Sequence, residues 1–268
     1  MVDGAKPVLV DSHCHLTSGK FAGHVGEVLA AARQAGVMGC LTAGTSVADS
    51  TAALGIARRH DGVVFSAGIH PHEAEEAPDD YLDRLSDLTA TGADLCVAIG
   101  EIGLDYHYDF SPRDVQRRVL DEQLDLARRL GKPVILHARE ATADMLAALE
   151  AYAGVLRGVV HSFTGDAEEV KHYLDQDWFI GFAGIVTFKN AGANRQAARL
   201  VPANRLLVET DAPYLSPEPV RKVFPNVPAH VVHTAALLAD LRGEGVEDLA
   251  RRTTANAAAL FGLDIDAG

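Results

Sequence analysis

Short apolar runs alternate along the chain with longer segments whose apolar positions recur at helical spacing. A continuous apolar run bounded by polar residues reads as a buried strand, and a 3.6-residue recurrence reads as an amphipathic helix. The first run, Pro7-Val8-Leu9-Val10, precedes an Ala-rich helix over about 21–35. Val37 to Ala43 predicts a second strand and about 47–60 a second helix. Val63 to Gly68 predicts a third strand, with an acidic, exposed helix starting near Pro78. Leu95 to Ile99 is the fourth strand; Ser111 as N-cap and Pro112 at the first helical position open a long helix to about 130. Pro133 to Leu136, Gly158 to Val160, Trp178 to Phe182 and Leu206 to Val208 predict four more strands. Between them the pattern predicts helices over about 140–152, from an Asp166 cap to about 175, and over about 191–200. A Pro-rich loop, about 212–228, leads to two last helices over about 229–241 and 246–261.

A strand followed by a helix thus recurs eight times, with no linker or low-complexity tract between units. Such alternation argues for a parallel sheet with right-handed crossovers. Eight units in 268 residues predict an α/β fold: a closed (β/α)8 TIM barrel forming a single domain over 1–268. In that architecture chemistry belongs at the ends of the strands.

The polar residues at those ends now matter. Asp11-Ser12-His13-Cys14-His15 follows the first apolar run. Residues i and i+2 of a strand share a face, so His13 and His15 project together and Cys14 faces away. Two adjacent imidazoles are half of a divalent-metal site. Taken alone they are better explained as hydrogen-bonded polar residues at a strand end. The other strands change this. His70 and His72 follow the third, Glu101 the fourth, His137 the fifth, His161 the sixth and Asp211 the eighth. A closed barrel brings these to one mouth, where a barrel without chemistry would carry Val, Ile and Leu. So many ligands around a shared carboxylate predict two divalent ions about 3.5 to 4 Å apart. The remaining histidines, His24, His60, His107, His172, His230 and His233, fall on predicted helices or a loop and read as surface residues. So do four of the tyrosines and most arginines, with no aromatic ladder for stacking bases.

Composition sharpens the electrostatics. The formal net charge is -13, so the surface as a whole repels nucleic acid and anionic membrane. A polyanionic substrate would need local positive charge. Two divalent cations set against Glu101 and Asp211 leave a surplus of two positive charges at the mouth. Cys14, Cys40 and Cys96 lie in or beside apolar runs without a C-x-x-C pair, and read as reduced, buried residues of a cytoplasmic protein. Met1 to Lys6 lacks the basic start and apolar stretch of a signal peptide, and no apolar run is long enough to predict a membrane span. Nothing in the pattern calls for an obligate protein partner.

Several motifs together resemble the TatD family of metal-dependent deoxyribonucleases. They are Asp11-Ser12-His13-Cys14-His15, Gly68-Ile69-His70-Pro71-His72 and Ile99-Gly100-Glu101-Ile102-Gly103-Leu104-Asp105-Tyr106. Ile135-Leu136-His137-Ala138-Arg139, His161-Ser162-Phe163-Thr164-Gly165, Gly184 to Ala191 and Glu209-Thr210-Asp211-Ala212-Pro213-Tyr214-Leu215 follow in family order. The resemblance implies a TIM barrel, two divalent ions (Mg, Mn, Zn, Ni or Co) and hydrolysis of DNA phosphodiesters, with single strands or 3′ ends as substrate and 3′-5′ exonuclease action. It implies His13, His15, Glu101 and Asp211 as one ion's ligands and Glu101, His137 and His161 as the other's. Related amidohydrolase barrels often bridge their ions with a carbamylated lysine; here Glu101 stands at that strand, which favours a glutamate bridge. His70 becomes a candidate for substrate positioning or proton transfer. Asp211 becomes the candidate acceptor of the attacking water's proton, and Arg139 or Arg221 would offset transition-state charge.

Two departures from the family pattern stand out. Ser162 takes the place of a frequent Cys, and the rim Arg221-Lys222-Val223-Phe224-Pro225-Asn226-Val227-Pro228 lacks the usual Gly and has Val227 in place of Glu. The same chemistry would also serve hydrolysis of an amide, lactone or ester. A non-catalytic nucleic-acid-binding module is disfavoured by the acidic charge and the lack of a basic stripe.

Overall fold

The computed structural model describes residues 8–265. The expectations for Met1 to Lys6, and the strand assignment of Pro7, lie outside them. Eight parallel strands run in the order β1 (Leu9–Cys14), β2 (Val37–Ala43), β3 (Val63–Ala67), β4 (Cys96–Asp105), β5 (Val134–Arg139), β6 (Gly158–Val160), β7 (Phe179–Phe182) and β8 (Leu206–Val208). Each pairs with the next in sequence. The helices are α1 (Val25–Gln34), α2 (Val47–Ala57), α3 (Tyr81–Thr91), α4 (Arg113–Leu130), α5 (Thr142–Glu150), α6 (Ala167–Asp175), α7 (Gly192–Leu200), α8 (Val231–Arg242) and α9 (Val246–Phe261). This is the TIM barrel that the alternation predicts.

Each strand divides its apolar residues between two layers. Val10, Leu41, Val97, Ile135, Val159 and Leu207 meet in one cluster, joined by the partly buried Val64 and Phe179. One side chain from every strand therefore fills the barrel interior, as β-branched and aliphatic residues do in such barrels. Ala257, Leu260 and Phe261 of α9 belong to that same cluster, so the last helix plugs one end of the barrel. The larger cluster, including Leu9, Phe65, Ile99, Leu124 and Leu149, lies between strands and outer helices.

The ring closes between β1 and the segment after β8. Asp211 N–H donates to His13 O (2.9 Å) and His15 N–H donates to Ala212 O (2.7 Å). Ser12 Oγ donates to Val208 O across the same seam.

Several boundaries differ from expectation. The first helix was expected from about residue 21, but α1 begins at Val25 after a short 3-10 turn, Gly19–Phe21. Pro112, not Ser111, is the cap residue of α4. Ser111 does not cap the helix; its hydroxyl donates to His72 O and accepts from Glu75 N–H, tying down the loop after β3. Asp166 does cap α6, in a reciprocal capping box with Glu169. Tyr81, Tyr152 and Tyr173 are buried, so fewer tyrosines reach the surface than the pattern suggested. His230 is half-buried, with Nδ1 2.9 Å from Asn226 Oδ1, and is no free surface residue. Cys14, Cys40 and Cys96 are buried and unpaired with one another. No helix among the described residues is long and apolar enough to cross a membrane.

The plug yields a stability prediction. Phe261 is 5% exposed at the end of α9. Phe261→Ala should destabilise the fold by about 3 to 5 kcal/mol through lost burial and a residual cavity. Denaturant unfolding measures this, and a change below about 1 kcal/mol would show that the helix end does not support the interior.

Candidate metal centre

Two irregular strands aim the central residues. Between Ile99 and Ile102, β4 spends three steps while β5 advances two, from Val134 to Leu136. Between Asp11 and Cys14, β1 does the same against Cys40 to Thr42 of β2. Such bulges re-aim side chains and recur beside active sites. Here one contains Glu101 and the other His13. Glycine makes the β4 bulge feasible. Gly100 and Gly103 have φ of +155° and +152°, and a Cβ on Gly103 would lie 1.9 Å from His137 O. No other residue fits that approach. The sequence pattern ended the fourth strand at Ile99; the strand continues through Glu101 to Asp105.

Glu101 is 2% exposed and is surrounded by imidazoles. Its Oε1 lies 2.7 Å from His161 Nε2, 2.9 Å from His137 Nδ1 and 3.3 Å from His70 Nε2. Its Oε2 lies 3.3 Å from His13 Nε2 and 3.7 Å from His15 Nε2. Asp211 joins from the far side of His15, with Oδ1 3.4 Å from His15 Nε2. Asp211 has φ +55°, a left-handed conformation that Asp tolerates better than most residues. Asn226 holds the turn, its side-chain amide donating to Thr210 O and Tyr214 O. The rim loop that departs from the family pattern therefore still anchors the Asp211 segment. Val227, in place of Glu, packs against the core.

Burial alone would raise the Glu101 carboxyl, but the neighbouring His161, His70 and His13 hold it well below the usual range. Burial likewise opposes ionisation of Asp211, and the hydrogen bond from His15 outweighs it. Both carboxylates are thus ionised at neutral pH.

Among the described residues, three groups bring donor atoms close enough to hold an ion: His13, Glu101 and His161; His13, His15 and Asp211; His70, Glu101 and His137. Two observations fit a cation. His13 Nε2 and His15 Nε2 approach to 3.3 Å, as do His137 Nδ1 and His161 Nε2. At most one proton can lie between each pair, so lone pairs crowd around a buried carboxylate. The His13 ring also stacks on that of His161, 3.9 Å between centroids, which places His161 nearer the first histidine pair than a clean division into two ligand sets would have it.

His70 is different. Its Nδ1 accepts the backbone N–H of His72 (3.1 Å). Burial lowers its pKa to about 4, so it is neutral. A neutral imidazole with Nδ1 accepting carries its proton on Nε2, the nitrogen that faces Glu101. That tautomer donates a hydrogen bond and has no lone pair to offer an ion on that side. Its donor atom falls within reach of an ion site, but its chemistry sets it apart from the other four histidines.

A second ring of carboxylates fixes the first ring of residues. Asp105 is fully buried, and its Oδ2 lies 3.0 Å from His137 Nε2 and 2.9 Å from His72 Nε2. His72 thus stands outside the Glu101 ring, one carboxylate removed. Glu209 Oε1 accepts from Ser162 N–H and lies 3.4 Å from His161 Nδ1, within ion-pair range but too poorly aligned for a hydrogen bond. Asp11 accepts from the Thr210 N–H and hydroxyl, and burial pushes its carboxyl up to about 8. The sequence reading assigned none of these three a role. Asp105, Glu209 and Asp11 lie four, two and two residues from Glu101, Asp211 and His13, but the bulges in β1 and β4 and the left-handed turn at Asp211 break the alternation that would have tied each pair to one face.

Glu101, Asp105, His15, His70, His137, His161 and Asp211 line an open cavity of about 850 Å³. Arg139 lines it too, whereas Arg221 lies over the Phe188 ring and is not among the lining residues. Tyr108, in the lining, stacks on Phe110 at 5.2 Å.

A TIM barrel whose mouth carries this histidine and carboxylate cluster defines a metal-dependent hydrolase. The chain belongs to the TatD family: the family model for TatD related DNase matches residues 10–262. A relative from Escherichia coli K12, an uncharacterized metal-dependent hydrolase named YcfH, is 42% identical over 260 residues, covering 96% of each chain. A relative from Pantoea ananatis, named 3′-5′ ssDNA/RNA exonuclease TatD, is 41% identical over 261 residues, covering 95% of this chain and all of its own. The crystal structure of YJJV, a TatD homolog from Escherichia coli, superposes with a TM-score of 0.90 at 30% identity, covering 95% of this chain and 98% of that one.

Asp105 offers a direct test of the outer ring. Asp105→Asn keeps the Oδ1 acceptor for the His107 and Tyr108 N–H groups while removing the charge behind His137. Divalent-ion affinity, measured by calorimetric titration, should fall about 10- to 100-fold. An unchanged affinity would mean that His137 needs no orienting partner.

Proposed function

We propose that the chain is a nuclease that hydrolyses phosphodiester bonds of DNA, shortening single strands from the 3′ end with the help of two divalent ions. The observation that carries this reading is the buried Glu101 carboxylate with histidine nitrogens on both of its oxygens, open to a cavity large enough for a nucleotide. The relative named as a 3′-5′ ssDNA/RNA exonuclease supports the substrate class. In this reading His13, His15, Glu101 and Asp211 hold one ion and Glu101, His137 and His161 the other. Bound there, divalent ions lower the pKa of water and offset charge on phosphate oxygens.

The protein's own groups supply orientation and proton transfer. Asp211 is ionised and faces the cavity, so it can accept the proton of a water attacking phosphorus. His70 presents its Nε2–H beside Glu101 and can donate a hydrogen bond to a substrate oxygen. Arg139 brings positive charge to a protein that otherwise repels polyanions. A single-stranded end can enter a barrel mouth that the middle of a duplex cannot.

Protein purified without chelator, or soaked in Mn or Zn, should contain two ions per chain by elemental analysis; a trace under every condition would reject the assignment. Labelled single- and double-stranded DNA and RNA, each with Mg, Mn or Zn, test the substrate. Stepwise shortening of single-stranded DNA from its 3′ end is expected, and nicking of closed circular duplex with linear strands untouched would overturn it. Asp211→Asn should keep the fold and lower turnover about 10² to 10⁴-fold. Retention of more than about a tenth of wild-type turnover at saturating metal would remove Asp211 from the proton-accepting role.

A further inference from the structure

The loop between β4 and α4 places Tyr108 on the cavity wall and Phe110 stacked against it, just outside the lining. Tyr108 and Phe110 are 48% and 64% exposed, although both are large aromatic residues. They stack on each other with centroids 5.2 Å apart and planes 18° from parallel. His72 meets both rings edge-on, 5.6 Å from Tyr108 at 87° and 4.8 Å from Phe110 at 69°. The Arg139 guanidinium sits 4.7 Å from the Tyr108 ring centroid. His72 connects this stack inward, through Asp105 to His137 and thence to Glu101. The aromatic pair is therefore held in fixed relation to the place where phosphorus would react.

Burial does not explain the pair. Phe110 remains largely in water, where a Phe side chain costs free energy rather than contributing it. The stack nonetheless holds its rings in order, braced by His72 and Arg139. An ordered, solvent-facing aromatic surface beside a phosphodiester site matches one ligand feature, the π-face of an unpaired nucleobase. Arg139, which lies over Tyr108 and also lines the cavity, can meet the adjoining phosphate.

We propose that Tyr108 and Phe110 form a stacking shelf for a base at the 3′ end of the strand, with Phe110 carrying the exposed face. This inference rests on the nuclease reading and adds its selectivity: the enzyme grips a base that has left its partner. A base still paired and stacked in a duplex offers no free face to the shelf. Selection of single strands then comes from the β4–α4 loop, while the Glu101 cluster is indifferent to strandedness.

The experiment compares wild type, Phe110→Ala and Phe110→Trp on single-stranded oligonucleotides. One has normal residues throughout and the others carry an abasic residue at either of the last two positions from the 3′ end. Loss of a base–aromatic stack should raise KM for the normal oligonucleotide about 5- to 150-fold in Phe110→Ala. Phe110→Trp should keep KM within about threefold of wild type, because a larger ring still stacks. An abasic residue at the gripped position should raise the wild-type KM by a similar factor and add little in Phe110→Ala, since both remove the same contact. Equilibrium binding of a fluorescein-labelled oligonucleotide to Asp211→Asn protein, with and without Phe110→Ala, should show the same loss in affinity. Three results overturn the shelf: an unchanged KM in Phe110→Ala, a full multiplication of the mutant and abasic effects, or a Phe110→Trp enzyme as poor as Phe110→Ala. In each of these the wild type still degrades DNA and the nuclease reading stands. A wild type that degrades no oligonucleotide with any metal overturns both.

Discussion

A single buried carboxylate organises the open end of this barrel. Glu101 has five imidazoles within 3.7 Å of its two oxygens, contributed by four different elements of the chain or their flanking loops. Removing an ionised carboxylate from water costs several kcal/mol unless it is compensated. Its compensation comes from groups that carry lone pairs as well as protons. A cluster of this kind is satisfied either by protons shared among its members or by cations that accept the lone pairs. Asp105 holds the far nitrogen of His137, setting that ring's orientation from behind, and Glu209 places its charge 3.4 Å from the far nitrogen of His161. Exchanging any one imidazole alters the electrostatic environment of all the others through Glu101.

Much of this arrangement was legible in the order of residues. Strand periodicity predicted the barrel, and the recurrence of His, Glu and Asp just after apolar runs placed His13, His15, His70, Glu101, His137, His161 and Asp211 at one mouth. The structure brings these seven together. Other features depend on local geometry that periodicity does not encode. The bulges at His13 and Glu101 break the two-residue repeat where it matters most, which is why the fourth strand reads five residues too short in the pattern. Ser111 looked like a helix cap because Ser before Pro is a cap signature, but a tertiary partner, the His72 carbonyl, competes successfully for its hydroxyl. Tyr108 and Phe110 lie in a loop, where no repeat distinguishes an ordinary surface aromatic from one beside the site.

The charge distribution reconciles an acidic protein with a site for anions. Most carboxylates lie at the surface, where solvent and salt screen them beyond about 10 Å. At the mouth Glu101, Asp105 and Asp211 are matched by imidazole, and Arg139 stands at the lip. The long-range field is repulsive, and cations held at the Glu101 cluster would reverse it locally. On the proposed function, a nucleic acid strand would be engaged only after its end has reached the cavity, which would favour ends and flexible segments over long contacts along the strand.

The closure seam has a consequence for how the molecule comes into being. The hydrogen bonds that join the first strand to the segment after the last involve His13, His15, Asp211 and Ala212 themselves, and the neighbouring Ser12–Val208 bond spans 196 residues of sequence. Contacts this distant in sequence form late in folding, because loop-closure entropy must be overcome before they contribute. During synthesis the chain thus emerges with His13 and His15 already made and their carboxylate partner not yet translated. A nascent or truncated chain exposes imidazoles but holds no finished cavity, and hydrolytic capacity arrives only when the ring is joined. An ion seated between His13, His15 and Asp211 would act at that moment as a clasp, favouring the joined ring over the open sheet.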